Sequence, residues 1–189
     1  MLSRIDALDT DIADLEVQIE AQIAPFALAM ARLDEIPGVG ATAAAVIIAE
    51  VGLDMTCFPT PAHLSSWARF APGVKESAGH KKGTGSTGNG DRYLARVLGE
   101  AAVGTSRTNT FLGERHRRIA RRRGKKKAVV AVGSSILVIV WYLLSDDGAQ
   151  FHDLGPGFYD SRMNLERKKR NHIREPEALG YRVTLEPAA

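Results

Sequence analysis

Two short stretches of this sequence concentrate side chains that could act on phosphate. The first, KESAGHKKGTGSTGNGD over residues 75–91, mixes serines, lysines and glycines. Ser77 and Ser86 are candidate nucleophiles, but a serine hydroxyl is weak until a base or a metal activates it. Lys75, Lys81 and Lys82, with Arg92 just beyond, supply positive charge, and the glycines let the backbone approach an anion closely. The second stretch, ERHRRIARRRGKKK over 114–127, holds nine Lys and Arg. Arg117, Arg118, Arg121, Arg122 and Arg123 end one predicted helix. Lys125, Lys126 and Lys127 open the next, after Gly124 breaks the run. Lysines at a helix N-terminus oppose the macrodipole. A phosphate backbone supplies a reason for them that helix stability does not; a solvated cationic face is the plainer alternative.

A third stretch, EIPGVGATAAAVIIAEVG over 35–52, reads as a turn between two helices. Gly38, Val39 and Gly40 make the turn, and Thr42 is placed to help cap a helix over 43–50. A helix, a PGVG turn and an alanine-rich helix make the signature of a helix-hairpin-helix. The N–H groups at such a helix start point outward at an anion. A plain helical corner, with the glycines serving only the turn, is the competing reading.

These residues need a scaffold, and the spacing of apolar residues predicts a mainly α one. Ile5, Leu8, Ile12, Leu15 and Ile19 alternate steps of three and four, and the heptad continues through Gln22, Phe26, Ala29 and Leu33. That seam fits a coiled-coil arm over 1–33, or an amphipathic helix lying on its own domain. Pro25 should kink or end it. Thr60 and Pro61 start a short helix with Leu64, Trp67, Ala68 and Phe70 on its apolar face. Asp91 caps a helix over 92–105 that buries Leu94, Val97, Leu98, Ala101 and Ala102. Between them, a basic glycine-rich loop of some twenty residues is long enough to be functional. Residues 128–144, AVVAVGSSILVIVWYLL, form the most apolar run. After RRRGKKK it also reads as a membrane span. It is a little short for that, and Gly133, Ser134 and Ser135 interrupt it, so a central core helix is preferred. The expected organisation is an arm over 1–33, a helical DNA-binding domain over 34–147 and a loosely ordered basic tail over 148–189, with a basic helix and a strand-like end.

Composition narrows the function. Residues 1–55 hold ten Asp and Glu against two Arg; residues 56–189 hold twelve against twenty-three Lys and Arg. An acidic arm on a basic body suggests an anionic partner. With one cysteine there is no disulfide framework and no cysteine-rich zinc site. His63, His80, His116, His152 and His172 are scattered and read as surface residues. No phosphate-binding loop of the Walker type, dinucleotide fingerprint or metal-ligand spacing is present. No convergent carboxylates appear, so no metal site is expected in this chain. No signal peptide opens it, and a cytoplasmic protein is the expectation.

The stretches IPGVGATAAAVIIAEVG, FPTPAHLSSWARFAPGVKESAGHKKGTGSTGNGDRYLARVLGEAA, RIARRRGKKKAVVAVGSSILVIVWYLL and LGYRVTLEPAA occur in an order that resembles the C-terminal half of the DEDD-type insertion-sequence transposases. These are relatives of the Piv DNA invertase, some of them guided by a bridge RNA. The resemblance runs from about residue 33 to the end. It implies DNA as a partner, a guide RNA as a possible second one, and self-association through 1–33. It also makes Ser77, in the SAG that begins the loop, the best match to the family's serine nucleophile. In the family a RuvC-like domain supplies four acidic metal-binding residues. That domain is not in this sequence, so Mg²⁺ is expected only with a RuvC-like partner domain. A truncated transposase, or a non-catalytic nucleic-acid-binding remnant that modulates a full-length one, is therefore expected.

Overall fold

The structure, a computed structural model, describes residues 2–71, 76–77, 80–81, 88, 90–162 and 165–184. It is mainly α-helical. In chain order the elements are α1 (Leu2–Ile23), α2 (Ala27–Asp34), α3 (Ala41–Val51), α4 (Pro61–Trp67), β1 (Glu76–Ser77), β2 (His80–Lys81), α5 (Arg92–Thr105), α6 (Phe111–Arg123), α7 (Lys125–Ser145), α8 (Phe158–Ser161) and α9 (Leu165–Ala178). The two strands are a single antiparallel ladder of two residues each.

The apolar run forms α7, and α7 is the hub. It packs against α2, α4, α5, α6 and the 3₁₀ turn Met55–Cys57. Ala128, Val132, Ile136, Val140 and Leu144 recur at i+4 and are buried, with Leu137 and Leu143 beside them. That spacing gives one continuous apolar stripe. Ser135, one of the two serines that interrupt the run, is accommodated: its Oγ donates to the Ala131 carbonyl at 3.0 Å, which satisfies the hydroxyl within the helix. Among the described residues α7 is the one helix long and apolar enough to cross a bilayer. Here its apolar stripe is covered by the neighbouring helices, as in a core helix.

Helix starts follow local chemistry. Asp91 accepts from Leu94 N at 2.6 Å and starts α5. Thr110 Oγ1 accepts from Gly113 N at 3.2 Å and starts α6. Pro61 stands in the first turn of α4 after Thr60, but the Thr60 hydroxyl meets His63 Nδ1 at 2.8 Å and caps no backbone N–H. Thr42 differs from its expected role. Helix α3 starts two residues earlier, with Gly40 at the N-cap and no side-chain cap, because the extended backbone of Gly40 already ends the turn. Trp67 also differs: it is 47% exposed and rests on Phe58, ring centroids 5.4 Å apart, while Leu64, Ala68 and Phe70 face the core.

The arm is a long helix that ends before Pro25. Ala24–Phe26 forms a 3₁₀ turn and the helix resumes as α2. Helix α1 packs substantially only against that turn. Ile5, Leu8, Ile12, Leu15 and Ile19 are each 50–56% exposed, so α1 does not lie on its own domain. The seam joins the core only at Ala29 and Leu33. At the other end, α9 is the expected basic helix, but residues 181–184 form no strand.

Candidate nucleic-acid interface

Gly124 sets the geometry of the basic run. Its φ of +89° turns the chain from α6 into α7, a conformation glycine adopts without strain. Arg121, Arg122 and Arg123 fill the last turn of α6; Lys125, Lys126 and Lys127 fill the first turn of α7. All six are exposed. Among the described residues none of them has a carboxylate within 4.0 Å. The cations therefore crowd one helix junction without compensation, which is the unfavourable electrostatics expected of a surface that meets an anion.

The other arginines of the run are engaged in the fold. Arg117 turns inward: its Nε donates to Glu114 Oε2 at 3.1 Å, and its Nη1 donates to the Thr108 and Ser106 carbonyls at 2.9 and 3.3 Å. It ties α6 to the α5–α6 turn. Arg118 lies over the Tyr159 ring, Cζ 4.8 Å from the centroid, with Asp160 Oδ1 at 3.9 Å. Arg115 Nη1 donates to Tyr159 Oη at 3.1 Å. The Tyr159 ring in turn stacks on Phe111, centroids 5.4 Å apart. Arg115 and Tyr159 escaped the sequence reading. The 115, 118, 122 spacing marks one face of a helix, but nothing local signals that Tyr159 returns to it.

His116 is buried, unlike the other four histidines, which are exposed. Position 116 falls on the face of α6 that also buries Leu112. Burial, then the charges of Arg117 and Lys125, hold its imidazole below the usual range.

At the turn between α2 and α3, Gly38 and Gly40 are exposed and Val39 is buried. Gly38 has φ +87°, and a Cβ there would stand 2.5 Å from the Ala101 carbonyl oxygen. Packing against α5 thus explains this glycine. Gly40 is different: a Cβ would meet nothing within 4 Å. The open side of the turn is at Gly40 and Thr42, at the start of α3.

Ser77 lies on β1, register partner of His80, with Glu76 opposite Lys81. Lys75, Lys82 and Ser86 lie outside the described residues, as do the side chains of Ser77 and Lys81. Arg92, in the first turn of α5, is exposed and folds over Tyr93, Cζ 4.7 Å from the ring centroid. Among the described residues no group of three or more His, Cys, Asp or Glu side chains converges to hold a metal ion.

The α6–α7 junction is thus a cluster of exposed cations without carboxylate partners among the described residues, and the start of α3 is open. Residues 30–117 match the sequence model described as the Transposase IS116/IS110/IS902 family. The chain is 31% identical over 165 residues to the insertion element IS110 uncharacterized 43.6 kDa protein of Streptomyces coelicolor. That match covers 86% of this chain and 38% of the relative. Over residues 30–117 the chain is thus similar to the IS116/IS110/IS902 transposase family.

Proposed function

We propose that this chain carries the part of an IS110-type transposase that grips the nucleic-acid backbone and bears the serine nucleophile. One observation carries the reading: Arg121, Arg122, Arg123, Lys125, Lys126 and Lys127 are exposed around one glycine turn without carboxylate partners. The partner is DNA, with a guide RNA as a second polyanion able to use the same surface. The α2–α3 unit acts as a helix-hairpin-helix, its anion-facing N–H groups being those at the open start of α3. Helix α1 pairs with a second copy through its exposed seam.

Ser77 is the nucleophile on this reading. Its activation needs a base or a metal. Among the described residues the carboxylates form no magnesium site. The chain alone is expected to bind DNA without linking to it. Where a RuvC-like domain is supplied and a serine–DNA adduct forms, Ser77→Ala abolishes the adduct and leaves binding nearly intact. An adduct that survives Ser77→Ala assigns the chemistry elsewhere.

Binding itself is tested by fluorescence anisotropy with a labelled 20-base-pair duplex. Replacing Lys125, Lys126 and Lys127 with Ala should weaken binding by about 10-fold or more at low salt. Unchanged affinity would remove the junction from the interface.

A further inference from the structure

The face of α6 presents more than a diffuse positive charge. Arg115, Arg118, Ile119, Arg122, Arg123 and Tyr159 line a cleft of about 320 Å³. That is the lower end of ligand-sized cavities, which start at roughly 300 Å³. It suits one small group rather than a strand. Four of the lining residues are arginines, and among the described residues the carboxylate within 4.0 Å of them is Asp160, 3.9 Å from Arg118 and itself mostly exposed. Two of the arginines are already held in place: Tyr159 accepts from Arg115 and lies beneath Arg118, and Phe111 backs the Tyr159 ring. The decisive atom is Arg115 Nε. It is buried and has no hydrogen-bond partner among the described residues. A charged donor left unpaired is costly; Arg115 lines the cleft, and a small turn of its guanidinium would bring Nε–H to an oxygen seated there.

We infer that this cleft is a preorganised seat for one phosphate group. Arg115 Nε–H and the Arg118 and Arg122 guanidinium groups donate to its oxygens, and Tyr159 is the residue that positions them. A tetrahedral group with several acceptor oxygens matches guanidinium donors converging from different positions. Arg122 and Arg123 line the cleft and also belong to the cation cluster around Gly124, so the phosphate belongs to a nucleic-acid backbone that continues across the junction. That last assignment rests on the function proposed above.

The test uses the full chain. Arginine Nε–H resonances are followed by NMR while inorganic phosphate is added against chloride at matched ionic strength, with Arg115 assigned by the loss of its signal in Arg115→Lys. Phosphate should move the Arg115 resonance and chloride should not. Tyr159→Phe keeps the stacked ring under Arg118 but removes the acceptor that holds Arg115 and should weaken the response; Tyr159→Leu should lose it. With the 20-base-pair duplex, the Arg118→Ala/Arg122→Ala variant should bind about 10-fold or more weakly and lose about two from its salt slope. No phosphate-specific movement of Arg115 in the folded wild-type chain overturns the seat. So does full duplex affinity in the double variant, while wild-type duplex binding leaves the broader reading standing. A phosphate response in a chain that binds no duplex overturns the backbone as its source.

Discussion

Gly38 lies so close to α5 that a side chain there would meet the Ala101 carbonyl oxygen at 2.5 Å. Its φ of +87° adds backbone strain for any other residue. Gly38→Ala should therefore destabilise the fold by about 2–4 kcal/mol, from strain and clash together. Gly40→Ala, with φ −96° and open space, should cost under about 1 kcal/mol, as expected for replacing a glycine N-cap. Urea denaturation of both variants checks this. Equal losses would mean that the turn does not depend on α5.

Gly133 makes a second close approach, between α7 and the residues after α4. A Cβ at Gly133 would stand 2.3 Å from Phe70 Cε1. Overpacking of this kind costs about 1–3 kcal/mol. Adding Phe70→Leu should recover part of that loss, with a coupling energy of about 1 kcal/mol in a double-mutant cycle. Strict additivity would contradict the contact.

His116 should make stability depend on pH. Its folded-state value is depressed, first by burial and then by Arg117 and Lys125. As pH falls, the unfolded chain takes up the proton first, so the folded state loses ground. The contribution is whole above about pH 6.5 and is lost below it, towards the folded-state value. Denaturation midpoints at pH 7.5 and 5.5 should differ more in wild type than in His116→Gln. Parallel pH profiles would rule the residue out.

The exposed seam of α1 predicts self-association. Leu8→Lys with Leu15→Lys should lower the sedimenting mass while leaving the melting temperature of the monomer nearly unchanged, since α1 packs substantially only on Ala24–Phe26. A wild-type chain that sediments as a monomer would contradict pairing through α1.

Much of this architecture is written in local spacing. The i+4 recurrence in the 128–144 run, Asp91 before α5, Pro25 at the end of α1 and the Gly124 break are all visible without coordinates, because each acts within a turn or two of itself. What spacing does not reveal is long-range. Gly38 meets Ala101, Gly133 meets Phe70, and Tyr159 returns to α6 from far along the chain. The same blindness explains the treatment of the basic run. Nine cations look alike in sequence, yet Arg117 is bonded to carbonyls of the preceding turn while Arg121 to Arg123 face solvent. Trp67 and His116 exchanged their expected surroundings for a related reason: which side of a short helix is covered depends on neighbours that periodicity does not name.

The central claim is that the junction around Gly124 binds a phosphate backbone, and the salt dependence of duplex affinity tests it most directly. If the six cations there neutralise up to six phosphates, a plot of log K against log salt should have a slope of roughly −5, or a loss of about 10³-fold between 50 and 200 mM. Replacing Lys125, Lys126 and Lys127 with Ala should bring the slope to about half that. A wild-type slope near zero, or one that the three substitutions leave unchanged, would contradict the account.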